Sequence, residues 1–75
     1  VHVRQVVENA LYAGASTIIL AHNHPSGVAL PSDADVLVTH RIQEALAPLG
    51  IRLADHIIVA DDDYVSMAES GFLQR

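Results

Sequence analysis

The amino-acid sequence predicts an α/β domain in which helices pack on a sheet. Segments with helical and with strand-like apolar patterns alternate along the 75 residues, as is typical of this fold class. The run Thr17–Ala21 is short, apolar and rich in β-branched side chains, which indicates a buried strand between two helical segments. A chain of this length forms one domain at most.

The first half of the chain is predicted to form a helix, a strand and a loop. Apolar side chains between Val3 and Ala13 recur at helical spacing, and Gly14 then ends the helix. The strand Thr17–Ala21 follows. The segment from His22 to Pro31 is rich in proline and glycine, and we expect it to be a loop.

The second half is predicted to begin with a helix that Ser32 caps. Ser32 is a favourable N-cap residue, acids fill the first turn, and an apolar stripe continues to Gly50. The remaining predicted elements are a strand from Ile51 to Ala60, a turn at Asp61–Asp63, a short strand at Tyr64–Met67 and a final helical turn at Ala68–Leu73.

Composition and charge exclude several classes of function. The chain has no cysteine, which removes disulfides, thiol nucleophiles and thiolate metal sites. Its formal net charge is −5, and without a basic patch we expect no strong direct binding to nucleic acid. No apolar run reaches the length of a membrane span. We therefore expect a cytoplasmic protein that does not enter a membrane.

The segment from His22 to Asp35 predicts a metal site. Side chains at positions i and i+2 of a strand point to the same side, so His22 and His24 leave the strand end together. Asp35 lies in the first turn of the next helix, and the intervening loop is long enough to fold back. Two nitrogens and one oxygen, with a fourth position left for water, form the donor set of a catalytic zinc ion.

Each of these residues also has a purely structural interpretation. A histidine at a strand end is usually a surface or hydrogen-bonded residue. Ser32 and Asp35 have the spacing of a capping box at a helix start. For each residue considered alone, the structural interpretation is preferred to the metal site. The site is favoured because all four residues fall in one strand–loop–helix unit.

The spacing in this segment resembles the JAMM signature, His-x-His followed by seven residues and Ser-x-x-Asp. Here it is His22-Asn23-His24, then Pro25 to Pro31, then Ser32 to Asp35. The strings HNHPSG and PSDAD are similar to the bacterial RadC family in particular. The resemblance implies an MPN (cytidine-deaminase-like) fold with a mixed β-sheet flanked by helices. Residues 1–75 would form the C-terminal part of that domain, without its N-terminal strands.

The resemblance also implies roles for individual residues. His22, His24 and Asp35 would bind Zn²⁺, and Ser32 would contact the reacting carbonyl oxygen. The implied activity is that of a zinc metallohydrolase of peptidase or isopeptidase type, with a peptide or isopeptide substrate. A glutamate that acts as general acid/base is implied before the first helix, and Glu8 is not assigned that role because it falls inside the helix.

Other functions and residues stay open at this stage. The alternatives are a non-catalytic MPN-type scaffold or binding module, and a factor associated with DNA repair that has no hydrolase activity. Asp55 and His56 could orient a ligand or form a structural hydrogen bond. His2 and His40 are expected in solvent, and Asp61–Asp63 is expected to be a solvated turn. The sequence leaves the oligomeric state open.

Overall fold

The computed structural model describes residues 2–73 and forms an α/β fold, as predicted. The ends of the predicted domain, residue 1 and residues 74–75, lie outside the described residues. The elements are α1 (Val3–Tyr12), β1 (Thr17–Asn23), α2 (Asp33–Leu46), a 3-10 turn (Ala47–Leu49), β2 (Arg52–Ala60) and β3 (Asp63–Ser66).

The three strands form a mixed sheet in the order β1-β2-β3. β1 and β2 are parallel, and α2 supplies the long crossover that a parallel pair requires. β2 and β3 are antiparallel and are joined by a tight turn at Asp61 and Asp62. Asp61 adopts a left-handed φ of 48° in this turn, a conformation that aspartate tolerates better than most side chains.

The hydrophobic core lies between the helices and one face of the sheet. Alternate residues of β1 are half-buried on that face, whereas Ile19 on the opposite face is 65% exposed. Ile42 and Leu46 of α2 are fully buried. The buried core cluster consists of Ala10, Ile42, Leu46, Ile51 and Leu53.

A β-bulge in β2 determines which of its side chains face the helices. Ile18 pairs with Leu53 and Ile19 pairs with Asp55, so Ala54 is the extra residue. A bulge changes the alternation of side chains along a strand. Leu53 and His56 are therefore both buried although they are three residues apart, and His56 faces α2.

Several predicted boundaries were wrong. β1 continues to Asn23, so His22 lies inside the strand and not in the loop. β3 begins at Asp63, one residue earlier than expected. The predicted final helical turn is present but begins earlier than Ala68: the backbone N–H of Ser70 donates to Ser66 O at 3.0 Å, and Gly71, with a left-handed φ of 80°, ends the turn.

The helices are short. The longest, α2, has 14 residues, and among residues 2–73 no helix is long and apolar enough to cross a membrane.

The carboxylate of Asp55 connects β2 to the chain that follows β3. Its Oδ2 accepts a hydrogen bond from Ser66 Oγ at 2.5 Å, and its Oδ1 accepts from the backbone N–H groups of His56 and Ala68 at 2.7 and 3.0 Å. Burial raises the pKa of Asp55, but these hydrogen bonds outweigh it and the pKa lies below its usual value.

We predict that Asp55→Asn destabilises the fold at neutral pH, by roughly 1–3 kcal/mol for hydrogen bonds to a charged group. A carboxyl group whose pKa is lower in the folded than in the unfolded state stabilises the fold at any pH above its unfolded pKa of about 3.9. This contribution is lost as the pH falls through the pKa of the folded state. The melting temperatures of wild type and variant should therefore converge in acid. The control is Asp62→Asn in the exposed turn, whose melting temperature should equal that of wild type at every pH. A difference in melting temperature between Asp55→Asn and wild type that stays constant with pH would contradict this prediction.

Candidate metal centre

His22 and His24 lie at the carboxyl end of β1 on the face that carries the helices. His22 pairs with Ile58 of β2, and the backbone N–H of His24 donates to Val59 O at 2.8 Å. Strand-like pairing thus continues past Asn23, and both imidazoles keep the same side, as predicted. The two rings make an edge contact with their centroids 4.7 Å apart.

Asp35 reaches the same place from the first turn of α2. Ser32 is the N-cap, and its Oγ accepts from the Asp35 backbone N–H at 3.1 Å. In return, the Ser32 backbone N–H donates to Asp35 Oδ2 at 2.8 Å. This reciprocal capping box fixes the carboxylate at the start of the helix, where the helix dipole favours a negative charge.

The three side chains form a compact cluster. Asp35 Oδ2 lies 2.9 Å from His24 Nε2, and Asp35 Oδ1 lies 3.7 Å from His22 Nδ1. One ligand atom from each residue lies within 4.8 Å of the others, and the group could hold a metal ion. The predicted trio is therefore brought together, with Ser32 beside it.

The hydrogen bonds of His24 determine which of its nitrogens is available. His24 Nδ1 lies 3.0 Å from Val28 O, and since a carbonyl can only accept, Nδ1 carries a hydrogen and donates it. In the neutral ring Nε2 then presents a lone pair to Asp35 Oδ2. Two acceptors at 2.9 Å are stable only when a second proton or a cation lies between them.

His22, like His24, has a nitrogen whose surroundings suit a metal ion. Its Nδ1 is buried and has no hydrogen-bond partner within residues 2–73. Buried polar atoms in proteins are nearly always satisfied by a partner, water or an ion. The partnerless nitrogen of His22, the lone pair of His24 and the carboxylate of Asp35 together fit the donor set of a divalent cation.

The electrostatics of Asp35 keep its carboxylate charged. Burial raises the pKa of Asp35, but the hydrogen bonds with Ser32 and the neighbouring His22 and His24 outweigh burial, so the pKa lies below its ordinary value. An ionised carboxylate is the form that binds a metal.

Gly27 allows the loop after His24 to lie close to the β2–β3 turn. Gly27 has a φ of 81°, and a Cβ at this position would lie 2.7 Å from Asp61 Oδ2. Only glycine combines this conformation with so close an approach. The same loop presents Val28 O to His24, so Gly27 contributes to the orientation of that ring.

The other predicted residues lie outside the cluster. Glu8 forms an exposed ion pair with Arg4 at 2.7 Å on α1. His2 is exposed at the start of α1, as expected. His40 is not simply solvated, because its Nε2 contacts Phe72 O at 2.6 Å. Asp61 and Asp62 form the predicted exposed turn, and Asp63 begins β3.

The Asp55–His56 pair forms a structural hydrogen bond, one of its two interpretations, but through the backbone N–H of His56 and not through its ring. Asp55 accepts from the backbone of His56, whereas the buried ring contacts Thr39 Oγ1 through Nδ1 at 2.7 Å. Burial, and then the charge of His22, lower the pKa of His56 and favour its neutral ring. Sequence reasoning missed Thr39, although its position one turn after Asp35 places both residues on one helix face.

Comparison with known proteins identifies the family. The family model described as "RadC-like JAB domain" matches residues 1–72. The chain belongs to this family. Among the similar curated proteins, the UPF0758 protein of Nitrosococcus oceani is 56% identical over 73 residues, and those of Cellvibrio japonicus and Coxiella burnetii are 52% and 51% identical over the same length.

These matches cover the RadC-like JAB chain almost completely but only part of each relative. Each covers 97% of this chain and 33% of the curated protein. The RadC-like JAB chain therefore spans about one third of the length of these relatives.

Proposed function

We propose that His22, His24 and Asp35 bind a zinc ion in a hydrolytic site that cleaves peptide or isopeptide bonds. The contact between His24 Nε2 and Asp35 Oδ2 carries this proposal. The opposite nitrogen of His24 is committed to Val28 O, so the two facing atoms need a shared cation or proton. Membership of the RadC-like JAB family supports the same interpretation.

The chemistry of the donor set favours zinc over other divalent ions. Magnesium and calcium prefer oxygen ligands, whereas two imidazole nitrogens and one carboxylate suit zinc and leave a fourth position. Bound zinc lowers the pKa of a coordinated water to about 7 and polarises a carbonyl group. The side chains of this chain would hold the ion and orient the substrate.

Ser32 is suited to contact the substrate carbonyl oxygen. Its Oγ accepts from the backbone of Asp35, which uses a lone pair and leaves the hydroxyl hydrogen available. Ser32 is exposed beside the cluster. In the proposed reaction the hydroxyl donates to the negative charge that develops on the carbonyl oxygen, the role of an oxyanion donor.

The proton transfers of the reaction need a further group. Asp35 is the one acid in the cluster formed by residues 2–73, and its carboxylate faces both imidazoles. Glu8 is committed to Arg4 on the outer face of α1. We assign the general acid/base to none of the described residues. Because none of the described residues is assigned this role, we keep a second candidate function, a metal-binding module that does not hydrolyse a substrate.

We predict that the purified chain binds one zinc ion and that any of His22→Ala, His24→Ala and Asp35→Asn weakens binding by more than ~100-fold, since each removes a ligand. Binding should also weaken as the pH falls into the acidic range, because imidazole ligands must be deprotonated. Zinc content by elemental analysis after dialysis measures both effects.

The matched control is His2→Ala, which removes an exposed histidine away from the cluster and should retain zinc. Full zinc content in the double variant of His22 and His24 would refute the site. Equal losses in His2→Ala and His22→Ala would show that binding is non-specific.

We further predict that Ser32→Ala keeps its zinc but loses activity. The backbone N–H of residue 32 still donates to Asp35 Oδ2, so the ligand stays in place. Loss of the N-cap should cost about 1 kcal/mol of stability, and loss of an oxyanion donor should lower turnover ~100-fold. Turnover is measured in a chain extended with the upstream part of a curated relative.

Ser32→Thr separates the two roles of Ser32, because threonine keeps both the cap and the hydroxyl and should retain turnover. If Ser32 serves only as a cap, turnover per folded molecule will be unchanged in Ser32→Ala. Zinc binding by the extended chain without hydrolysis of any peptide or isopeptide substrate would favour the metal-binding module.

A further inference from the structure

A buried pair of polar side chains, Thr39 and His56, lies directly behind the metal cluster. Both residues are fully buried, and buried polar side chains in proteins are nearly always hydrogen-bonded. Thr39 lies one helical turn after Asp35 on α2, and His56 lies on β2 next to Leu20 of β1. The pair therefore joins α2, which carries Asp35, to β2, the strand beside the one that carries His22.

The hydrogen bonds of this pair have a defined direction. The Thr39 hydroxyl donates to the backbone carbonyl of Asp35 at 2.6 Å, and a carbonyl can only accept. The hydroxyl has a single hydrogen, so its oxygen accepts from His56 Nδ1–H at 2.7 Å. The chain of donors runs from His56 through Thr39 to Asp35 and fixes the backbone of that residue against β2.

The His56 ring also lies close to the ring of His22. The two ring centroids are 5.6 Å apart and the rings are tilted by 38°. Because Nδ1 of His56 carries the hydrogen, its Nε2 holds only a lone pair, and this buried nitrogen has no partner among the described residues. The ring next to His22 thus carries a buried lone pair, whose partial negative charge favours a positive charge nearby.

We propose that His56 and Thr39 are positioning residues of the metal centre: they hold the backbone of Asp35 and the ring of His22 in the arrangement that binds the ion. This inference rests on the proposed zinc site and extends it by two residues that do not touch the ion. In metal sites, groups that contact the ligands without touching the ion orient those ligands. Loss of such a group typically weakens metal binding even though the ligands themselves remain.

The test measures the Zn²⁺ affinity of Thr39→Val and Thr39→Ser by chelator competition at neutral pH. Valine has nearly the shape of threonine but lacks the hydroxyl, and it leaves His56 Nδ1–H and Asp35 O without their shared partner. We expect Thr39→Val to bind Zn²⁺ about 10–100-fold more weakly than wild type. Thr39→Ser restores the hydroxyl and should recover most of the affinity.

Ile42→Val controls for a general loss of stability. Ile42 is fully buried on the same helix, three residues beyond Thr39, and packs in the hydrophobic core away from the cluster. This variant should lower the melting temperature and leave the Zn²⁺ affinity unchanged. If Thr39→Val and Ile42→Val both lose Zn²⁺ affinity in proportion to their loss of melting temperature, the proposal is overturned.

His56→Leu provides a second variant with the same expected loss of affinity. If a variant is partly unfolded, its Zn²⁺ affinity is obtained from the rise of its melting temperature with Zn²⁺ concentration, because a ligand of the folded state stabilises it according to its dissociation constant. Wild-type affinity in Thr39→Val or His56→Leu would refute the positioning role. Absence of Zn²⁺ binding by the wild-type chain would instead refute the proposed site itself.

Discussion

The carboxylate of Asp35 takes part in two sets of interactions, and the geometry of the site depends on both. Its Oδ2 accepts from the backbone of Ser32 at 2.8 Å and closes the capping box of α2, and it also lies 2.9 Å from His24 Nε2. Its Oδ1 faces His22. The start of α2 is therefore fixed by the same group that faces both imidazoles, so the capping geometry that begins the helix also places the carboxylate beside them.

This arrangement has an electrostatic consequence. A buried carboxylate is costly unless it is hydrogen-bonded or paired with a positive charge. Ser32 and the helix dipole supply part of that stabilisation, while the imidazoles present one lone pair and one partnerless nitrogen. A divalent cation satisfies all three groups at once. The charge that stabilises the helix start would thus also favour a bound metal ion, and zinc binding would in turn stabilise the fold.

The sequence predicted the clustering of His22, His24 and Asp35 better than the contacts around these residues. The i, i+2 spacing of His22 and His24 and the capping spacing of Ser32 and Asp35 are local, so their geometry follows from the strand and the helix start. His56 could not be placed in this way. Its burial depends on the bulge at Ala54, which arises from the long-range register between β1 and β2. The hydrogen bond between Asp55 and Ser66 likewise depends on the register in which β3 pairs with β2.

In the proposed site, two imidazoles and one carboxylate bind zinc at the end of β1. X-ray absorption spectroscopy at the zinc edge on the zinc-loaded chain tests it most directly, because it reports the identity and distance of the ligands. We predict two imidazole nitrogens at about 2.0–2.1 Å together with oxygen ligands at similar distances, and loss of the imidazole signal in the double variant of His22 and His24. A spectrum with oxygen ligands alone in the wild-type chain would contradict the account.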